Sequence, residues 1–390
     1  MIYLDNAATT PLHPKALEAM LPFLTERFGN PSATYSLARG AQKAIDDARK
    51  AVAAVLACRP SDLVFTSGGT ESINAALKGV AFAQKKARAG KHIVATEVEH
   101  HAVLHTFNYL EQFGFEPTYV PVDAYGRVDP DDVARAIRED TVLVSVMLAN
   151  NEVGTLQPVR EIADVVAERG RQLRRRIPLH TDAVQAPGML PIDVDALGAD
   201  LLSLSGHKFG GPKGTGVLFI RRGTPFVSQM AGGGQERQRR AGTENVAGIV
   251  GQATALTIAD AAREATVATT LRLRDRLIEA IPALLPDSRL NGHPAERLAN
   301  NVNVSFRGVH GNKLVDALDR AGIAASAGAA CGSSTWEPSH VLLAMGLSMP
   351  EAVGGLRLSL SAANTDADVD EVLRVLPGVL EGLRSPAATR

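Results

Sequence analysis

A lysine set in a glycine-rich turn, directly after an apolar run, has the most readily named chemistry in this chain. The stretch is Leu204-Ser205-Gly206-His207-Lys208-Phe209-Gly210-Gly211-Pro212-Lys213-Gly214. Its neighbours are largely apolar or glycine, which weakens the alternative of a plain surface lysine. A lysine amine held beside a phosphate site is what a pyridoxal phosphate Schiff base requires. Two further turns fit that chemistry. Ser67-Gly68-Gly69-Thr70 follows the apolar Leu63-Val64-Phe65-Thr66 and opens a helix. Its amides and the Thr70 hydroxyl could hold a phosphate at a helix N-terminus. The spacing is neither that of a Walker loop nor that of a dinucleotide fingerprint, and a tight strand–helix turn stays open as the other reading. Thr181-Asp182-Ala183-Val184-Gln185 offers a carboxylate that could pair with a protonated pyridine nitrogen. A helix N-cap Asp is the alternative there.

Five other features could bear chemistry. Cys331 lies in Ala327-Gly328-Ala329-Ala330-Cys331-Gly332-Ser333-Ser334-Thr335, a small-residue stretch that leaves a thiol accessible as a nucleophile. Cys58 follows Ala53-Ala54-Val55-Leu56-Ala57 at a helix end and reads as packing. Arg357 sits in the alternating run Leu356-Arg357-Leu358-Ser359-Leu360, where its fork could take a carboxylate or simply face water. His100 precedes a second histidine, His101, and could equally be an ordinary helix-start residue. The cluster Arg171, Arg174, Arg175 and Arg176 could bind anions, although an exposed helix end is the favoured reading.

The elements that must position these residues alternate. Helical spacing runs from Ser36 to Leu56, and helices are expected over Pro14–Phe23, Glu71–Ala89, His101–Phe113, Asp129–Ile137 and Val159–Arg169. Strands are expected at Leu63–Thr66, Lys91–Thr96, Glu116–Val122, Thr141–Leu148, Ile177–Thr181, Leu201–Ser205 and Gly216–Ile220. Continuous apolar strands between helices mean an α/β fold, with a mostly parallel sheet covered by helices. After about Ala253 the composition changes to an Ala-, Thr- and Arg-rich helical run ending near Leu285, with Pro282 and Pro286 marking turns. Asn301–Phe306 and Leu356–Leu360 alternate as half-buried strands, and Asp366–Leu383 reads as a closing helix. The expected division is a large cofactor-binding domain over 15–255. A smaller α/β domain is built from 1–14 and 256–390, and it carries the cysteine loop at about 327–336.

Composition excludes several classes. The formal net charge is -1, which argues against a dedicated nucleic-acid binder. Two cysteines cannot build a disulfide scaffold. The N-terminus lacks a basic and apolar leader, and no apolar run reaches membrane-spanning length, so a cytoplasmic location without membrane attachment is the expectation. No metal site is expected.

Taken together, these pieces resemble the fold-type I pyridoxal phosphate enzymes, and more narrowly the class V cysteine desulfurase family. The matching stretches include Tyr3-Leu4-Asp5-Asn6-Ala7-Ala8-Thr9-Thr10, Gly29-Asn30-Pro31-Ser32, Thr66–Ser72, Glu99-His100 and Asn150-Asn151-Glu152-Val153-Gly154. Further on come Asp182–Gln185, Ser203–Lys208, Gly232–Glu236, Arg239–Asn245, Ala330-Cys331 and Glu337–Leu342. Each is weak alone; their number and order across nearly the whole chain are specific.

The resemblance implies a role for each position. Lys208 would carry the cofactor, His100 would stack on its ring, Asp182 would pair with the ring nitrogen and Gln185 would approach the phenolic oxygen. Gly69 and Thr70, with Ser205 and His207, would hold the phosphate. Thr243 would reach the phosphate of a neighbouring subunit, implying a homodimer with shared sites. Asn151 and Arg357 would hold the substrate carboxylate. Cys331 would take sulfur as a persulfide while L-cysteine becomes L-alanine through a pyridoxal phosphate ketimine. The sulfur would pass to an acceptor protein, for iron–sulfur cluster assembly or another thiolation.

Tyr35, Gln238, Gly332 and Trp336 depart from the family pattern without removing a group the mechanism needs. The spacing from Cys331 to Glu337 resembles the long-loop group of iron–sulfur assembly and nitrogenase-associated enzymes. Selenocysteine lyase is the nearest alternative, a class V aminotransferase a more distant one, and an inactive scaffold relative the non-enzyme reading.

Overall fold

Short apolar runs that end in glycine or polar turns become buried strands, and the longer amphipathic runs between them become the helices that cover those strands. The computed structural model describes residues 1–327 and 338–384. The chain begins with β1 (Ile2–Tyr3), α1 (Pro14–Thr25), α2 (Ser36–Val55), β2 (Leu63–Thr66), α3 (Gly69–Lys86), β3 (His92–Thr96) and α4 (His101–Glu111). It continues with β4 (Glu116–Val120), α5 (Pro130–Ala136), β5 (Thr141–Ser145), α6 (Val159–Gln172), β6 (Leu179–Asp182), α7 (Val194–Leu197), β7 (Leu201–Ser205) and β8 (Gly216–Ile220). Then come α8 (Gln235–Gln238), α9 (Val246–Ala261), α10 (Arg263–Leu284), β9 (Ser288–Asn291), β10 (Asn301–Phe306), α11 (Gly311–Arg320) and β11 (Ile323–Ala324). The last described elements are α12 (His340–Ala344), α13 (Met349–Val353), β12 (Gly355–Ser359) and α14 (Asp366–Arg384).

β2 to β8 form one seven-stranded sheet in the order β2-β8-β7-β6-β5-β3-β4. Only β8 runs against its neighbours, while the pairings among β3 to β7 are parallel. Six strands therefore point one way, and their carboxyl ends share one edge. Phe65, Val94, Val144, Leu204 and Phe219 pack on one face of the sheet with residues of α2, α6 and α9. Val64, Ile93, Leu143, Leu201 and Leu218 pack on the other with α3 and α4.

A second core gathers around the antiparallel order β12-β10-β9. Leu273, Leu277, Val302, Phe306, Leu314, Leu358, Val372 and Leu376 meet there. Leu4 joins them from the N-terminus, because β1 pairs in parallel with β11.

Three expectations need correction. Pro282 lies inside α10 rather than in a turn, because Leu273, Leu277 and Ile281 keep the helix packed on the second core around it. β10 and β12 are buried on both faces instead of half-buried. The polar face of β10 is dry because another loop covers it: Asn301 and Asn303 both donate to the Glu152 carbonyl, at 3.3 and 3.0 Å. Finally, Asp182 ends strand β6 rather than following it.

Candidate active site

The shared strand edge brings the predicted residues together. β2 runs into Gly69 and Thr70, β3 leads to His100, the chain after β5 carries Asn151, β6 leads to Gln185, and β7 into His207 and Lys208. Arg357 comes from β12, and Ala7 and Ala8 from the N-terminal segment. These residues, with Asp182, Ser205, Val184, Met147, Ala149 and Ile73, line one cavity of about 340 Å³. That volume suits a small cofactor with a small substrate. Among the sequence candidates, Thr243 does not line it; it is exposed on the loop after Arg240. Cys331, Gly332, Trp336 and Glu337 lie outside the described residues.

The turn after β2 is built for close approach. A Cβ on Gly69 would stand 3.0 Å from Val184 Cγ2 and 3.2 Å from Ser205 Cβ, so glycine lets α3 begin tight against the neighbouring side chains without displacing them. The first helical bond runs from Ser72 N to Gly68 O. The amides of Gly69, Thr70 and Glu71 thus lie outside the helical ladder, beside the Ser205 side chain, as an anion site would have them.

Lys208 donates from Nζ to the carbonyls of Ala7 and Ala8, at 2.6 and 2.7 Å. Gln185 Nε2 donates to the same Ala7 carbonyl at 3.0 Å. Asp182 is buried, and its Oδ1 accepts the Val184 N–H at 2.9 Å. Burial pushes its carboxyl up to about 6, against the pull of the Val184 amide and of Lys208. A cationic partner would restore its charge. His100 caps α4: its Nδ1 accepts the Ala102 N–H at 3.0 Å, which leaves the proton of a neutral ring on Nε2. Burial first, and then the nearby Lys208, draw its pKa down to about 4, so the ring is neutral at pH 7. His207 is likewise drawn down to about 4, by burial and by Lys208 and Lys213.

Arg357 is the largest fully buried side chain among the described residues, only 1% exposed. One Nη donates to the Asn151 carbonyl at 2.9 Å and the other to Asp5 Oδ1 at 2.7 Å. Its Nε is buried with no partner among the described residues. A buried guanidinium N–H without a partner, on a side chain that lines the cavity, suits an anionic ligand.

Two stretches do more than their sequence suggests. The segment around Asp5 to Ala8 supplies partners to both Arg357 and Lys208. Glu99 is fully buried: its Oε1 accepts from Thr96 Oγ1 and Met147 N, both at 2.8 Å, and burial pushes its carboxyl up to about 8. A glutamate just beyond the apolar run Ile93-Val94-Ala95 was the available signal. Cys58 packs against the main core, and burial pushes its thiol up to about 12, which fits the packing role. In the arginine cluster, Arg171 pairs with Glu168, Arg176 with Asp200, and Arg175 donates to the Ala89 and Glu139 carbonyls. Among the described residues no helix is long and apolar enough to cross a membrane.

Comparison with known proteins agrees with this geometry. The family model for aminotransferase class V matches residues 2–372. A cysteine desulfurase IscS of Methanosarcina thermophila is 53% identical, over 98% of this chain and 93% of its own. An IscS-like cysteine desulfurase of Mycobacterium tuberculosis is 46% identical, over 99% and 98%. Among solved structures, a NifS-like protein superposes with a TM-score of 0.90 at 38% identity, covering 98% of this chain and 100% of that one. SspA in complex with cysteine gives 0.80 at 36%, covering 94% and 100%. Family, relatives and fold coincide over nearly the whole length, so the chain belongs to the class V aminotransferase family, within its cysteine desulfurases.

Proposed function

We propose that this protein is a pyridoxal-phosphate-dependent cysteine desulfurase that converts L-cysteine to L-alanine and passes the sulfur to Cys331 as a persulfide. The observation that carries the reading is the convergence of Lys208, Asp182, His100 and Arg357 on one cavity beside the N-terminus of α3. The family is pyridoxal-phosphate-dependent. The residues present fit that cofactor: a phosphate suits the free amides of α3 with Thr70, Ser205 and His207, and a protonated ring nitrogen suits the buried Asp182. His100 offers a neutral ring face, and Gln185 a donor for the phenolic oxygen. When bound, pyridoxal phosphate supplies an electron sink for negative charge at the substrate α-carbon.

The chain's own residues supply the rest. Arg357 and Asn151 hold the substrate carboxylate, fixing which bond of the α-carbon faces Lys208. The Lys208 amine takes and returns the α-proton, and the Ala7 and Ala8 carbonyls hold the ammonium it becomes. His100 can donate from Nε2. The Cys331 thiolate attacks the substrate sulfur; an S–S bond forms, the C–S bond breaks, and the carbon skeleton takes up a proton and leaves as L-alanine. The protein works as a cytoplasmic homodimer in which Thr243 serves the neighbouring subunit's phosphate, consistent with its exposed place outside its own cavity. The persulfide sulfur goes to an acceptor protein for iron–sulfur cluster assembly or another thiolation.

Purified protein is expected to be yellow, to lose that absorbance in Lys208→Ala, and to keep it in Cys331→Ala while releasing almost no sulfide from L-cysteine. A colourless wild type that cannot be reconstituted overturns the cofactor assignment; unchanged turnover in Cys331→Ala overturns the persulfide. Parallel assays with L-selenocysteine separate a lyase from a desulfurase.

A further inference from the structure

The N-terminal segment ties the two ends of the cavity together. Asp5 bridges to Ser359 on β12, two positions beyond Arg357. Asn6 donates from Nδ2 to the Ser359 carbonyl at 2.8 Å, and the Ala7 amide donates to Ser359 Oγ at 2.8 Å. The Tyr3 hydroxyl donates to the Asp5 and Thr9 carbonyls, at 3.1 and 2.8 Å, and closes the segment into a strap. From this strap the Asp5 carboxylate reaches Arg357, while the Ala7 and Ala8 carbonyls reach Lys208.

A guanidinium has five N–H donors in a fixed plane. Here both of its Nη nitrogens are held, one by Asp5 and the other by the Asn151 carbonyl. The group cannot turn in its plane without breaking one of those bonds. The Nε edge stays buried and unpartnered. Arg357 is only 1% exposed, and Asp5 gives its guanidinium a counter-charge within the fold.

We propose that Asp5 is a positioning residue for the substrate α-carboxylate: it fixes the Arg357 fork at the cavity wall, where Nε has no partner among the described residues. The inference rests on the reading of Arg357 as the carboxylate site. It places Asp5 outside the reacting groups, so its effect falls on ligands that carry a carboxylate and spares those that do not.

The test uses the holoenzyme with Asp5→Ala and Asp5→Asn, the second keeping an acceptor oxygen without the charge. Asp5→Ala is expected to raise KM for L-cysteine about tenfold or more, the scale of one hydrogen bond to a charged group, with kcat changed less than about threefold. Asp5→Asn falls between. The dissociation constant of L-alanine, read from its perturbation of the cofactor absorbance, rises by the same factor as KM. That of cysteamine, which lacks the carboxylate, stays at the wild-type value. Equal weakening of L-alanine and cysteamine would mean a merely structural role and overturns the proposal, as does unchanged L-alanine binding. If Asp5→Ala does not fold, Asp5→Asn decides by the same two ligands. A wild type that is colourless or inert to L-cysteine refutes the parent reading before any variant is made. A yellow, active wild type with insensitive variants refutes only the role of Asp5.

Discussion

Removing the Glu236 carboxylate should be among the most damaging single changes outside the cavity lining. Arg49 of α2 and Glu236 of α8 form a two-bond ion pair, 2.8 Å from Nη1 to Oε2 and 2.6 Å from Nη2 to Oε1, with side chains only 6% and 3% exposed. Glu236 Oε2 also accepts the Phe65 N–H at 3.0 Å, and Arg49 donates to the Leu63 carbonyl at 3.0 Å. The guanidinium lies 4.6 Å over the Phe65 ring. The pair anchors a costly turn, since Glu236, Arg237 and Gln238 are three successive non-glycine residues with φ of 47°, 57° and 64°. Left-handed backbone costs roughly 1–2 kcal/mol per residue, so something must hold it. Glu236→Ala leaves Arg49 buried without its counter-charge, a loss of about 3–5 kcal/mol, which is a large share of a typical net stability of roughly 5–15 kcal/mol. The double change Arg49→Met with Glu236→Met leaves no stranded charge and should recover most of that loss, to within about 2 kcal/mol of wild type. Urea unfolding of cofactor-free protein measures both. A cost under about 1 kcal/mol for the single variant, or a double variant as unstable as the single, refutes the reasoning. Arg240, beyond the same turn, pairs with Glu71 at the start of α3, so both variants should also retain pyridoxal phosphate less well.

Glu99→Gln should make the protein less sensitive to alkali. Burial holds the Glu99 proton up to about pH 8, whereas the unfolded chain releases it near its ordinary value of 4.5, so the stability it contributes is full below 4.5 and is lost as pH rises through 8. Glutamine has no proton to lose, so the variant gains on wild type by up to about 1.4 kcal/mol per pH unit across that window; parallel Tm-versus-pH curves would refute this. Gly216→Ala should lower the affinity for pyridoxal 5′-phosphate, because its Cβ would stand 2.6 Å from the Gly68 carbonyl carbon and from Thr66 Oγ1 in the proposed phosphate turn. An absorbance titration giving wild-type affinity would refute it.

The main sheet was legible because each of its strands carries its signal locally. Leu63–Thr66, Leu201–Ser205 and Gly216–Ile220 have the same bounds in sequence and structure. The turns that follow β2 and β7 hold the glycines, Thr70 and Lys208 within a few residues of a strand end, so one stretch of chain reveals both the element and the chemistry. Other features depend on residues far apart. Alternation in Asn301–Phe306 reports one polar face, but only the remote Glu152 carbonyl reveals that the face is dry. Arg357 alternates just as a wet arginine would, and its burial comes from Asp5 and Asn151, which no local pattern can announce. Glu99 lies next to His100, yet its raised pKa comes from its burial rather than from its neighbours in sequence.

The cavity's electrostatics can be stated without reference to any relative. The free amides at the start of α3 favour an anion. Asp182, buried and held near pH 6, favours a cation. Arg357, with Asp5 already on one nitrogen and Nε unmatched, favours a carboxylate. Lys208 rests on neutral carbonyls, and His100 and His207 are uncharged at pH 7, so neither histidine supplies a competing charge. The demand across the cavity is therefore anion, cation, anion, with an amine between them. A phosphorylated pyridine with a protonated ring nitrogen satisfies the first two, and an amino acid satisfies the third. An aminotransferase would make the same demands, so this pattern fits the proposed cofactor and an amino acid, and only the proposed role of Cys331 decides the fate of the sulfur. That division is why Lys208→Ala and Cys331→Ala test different halves of the proposed function.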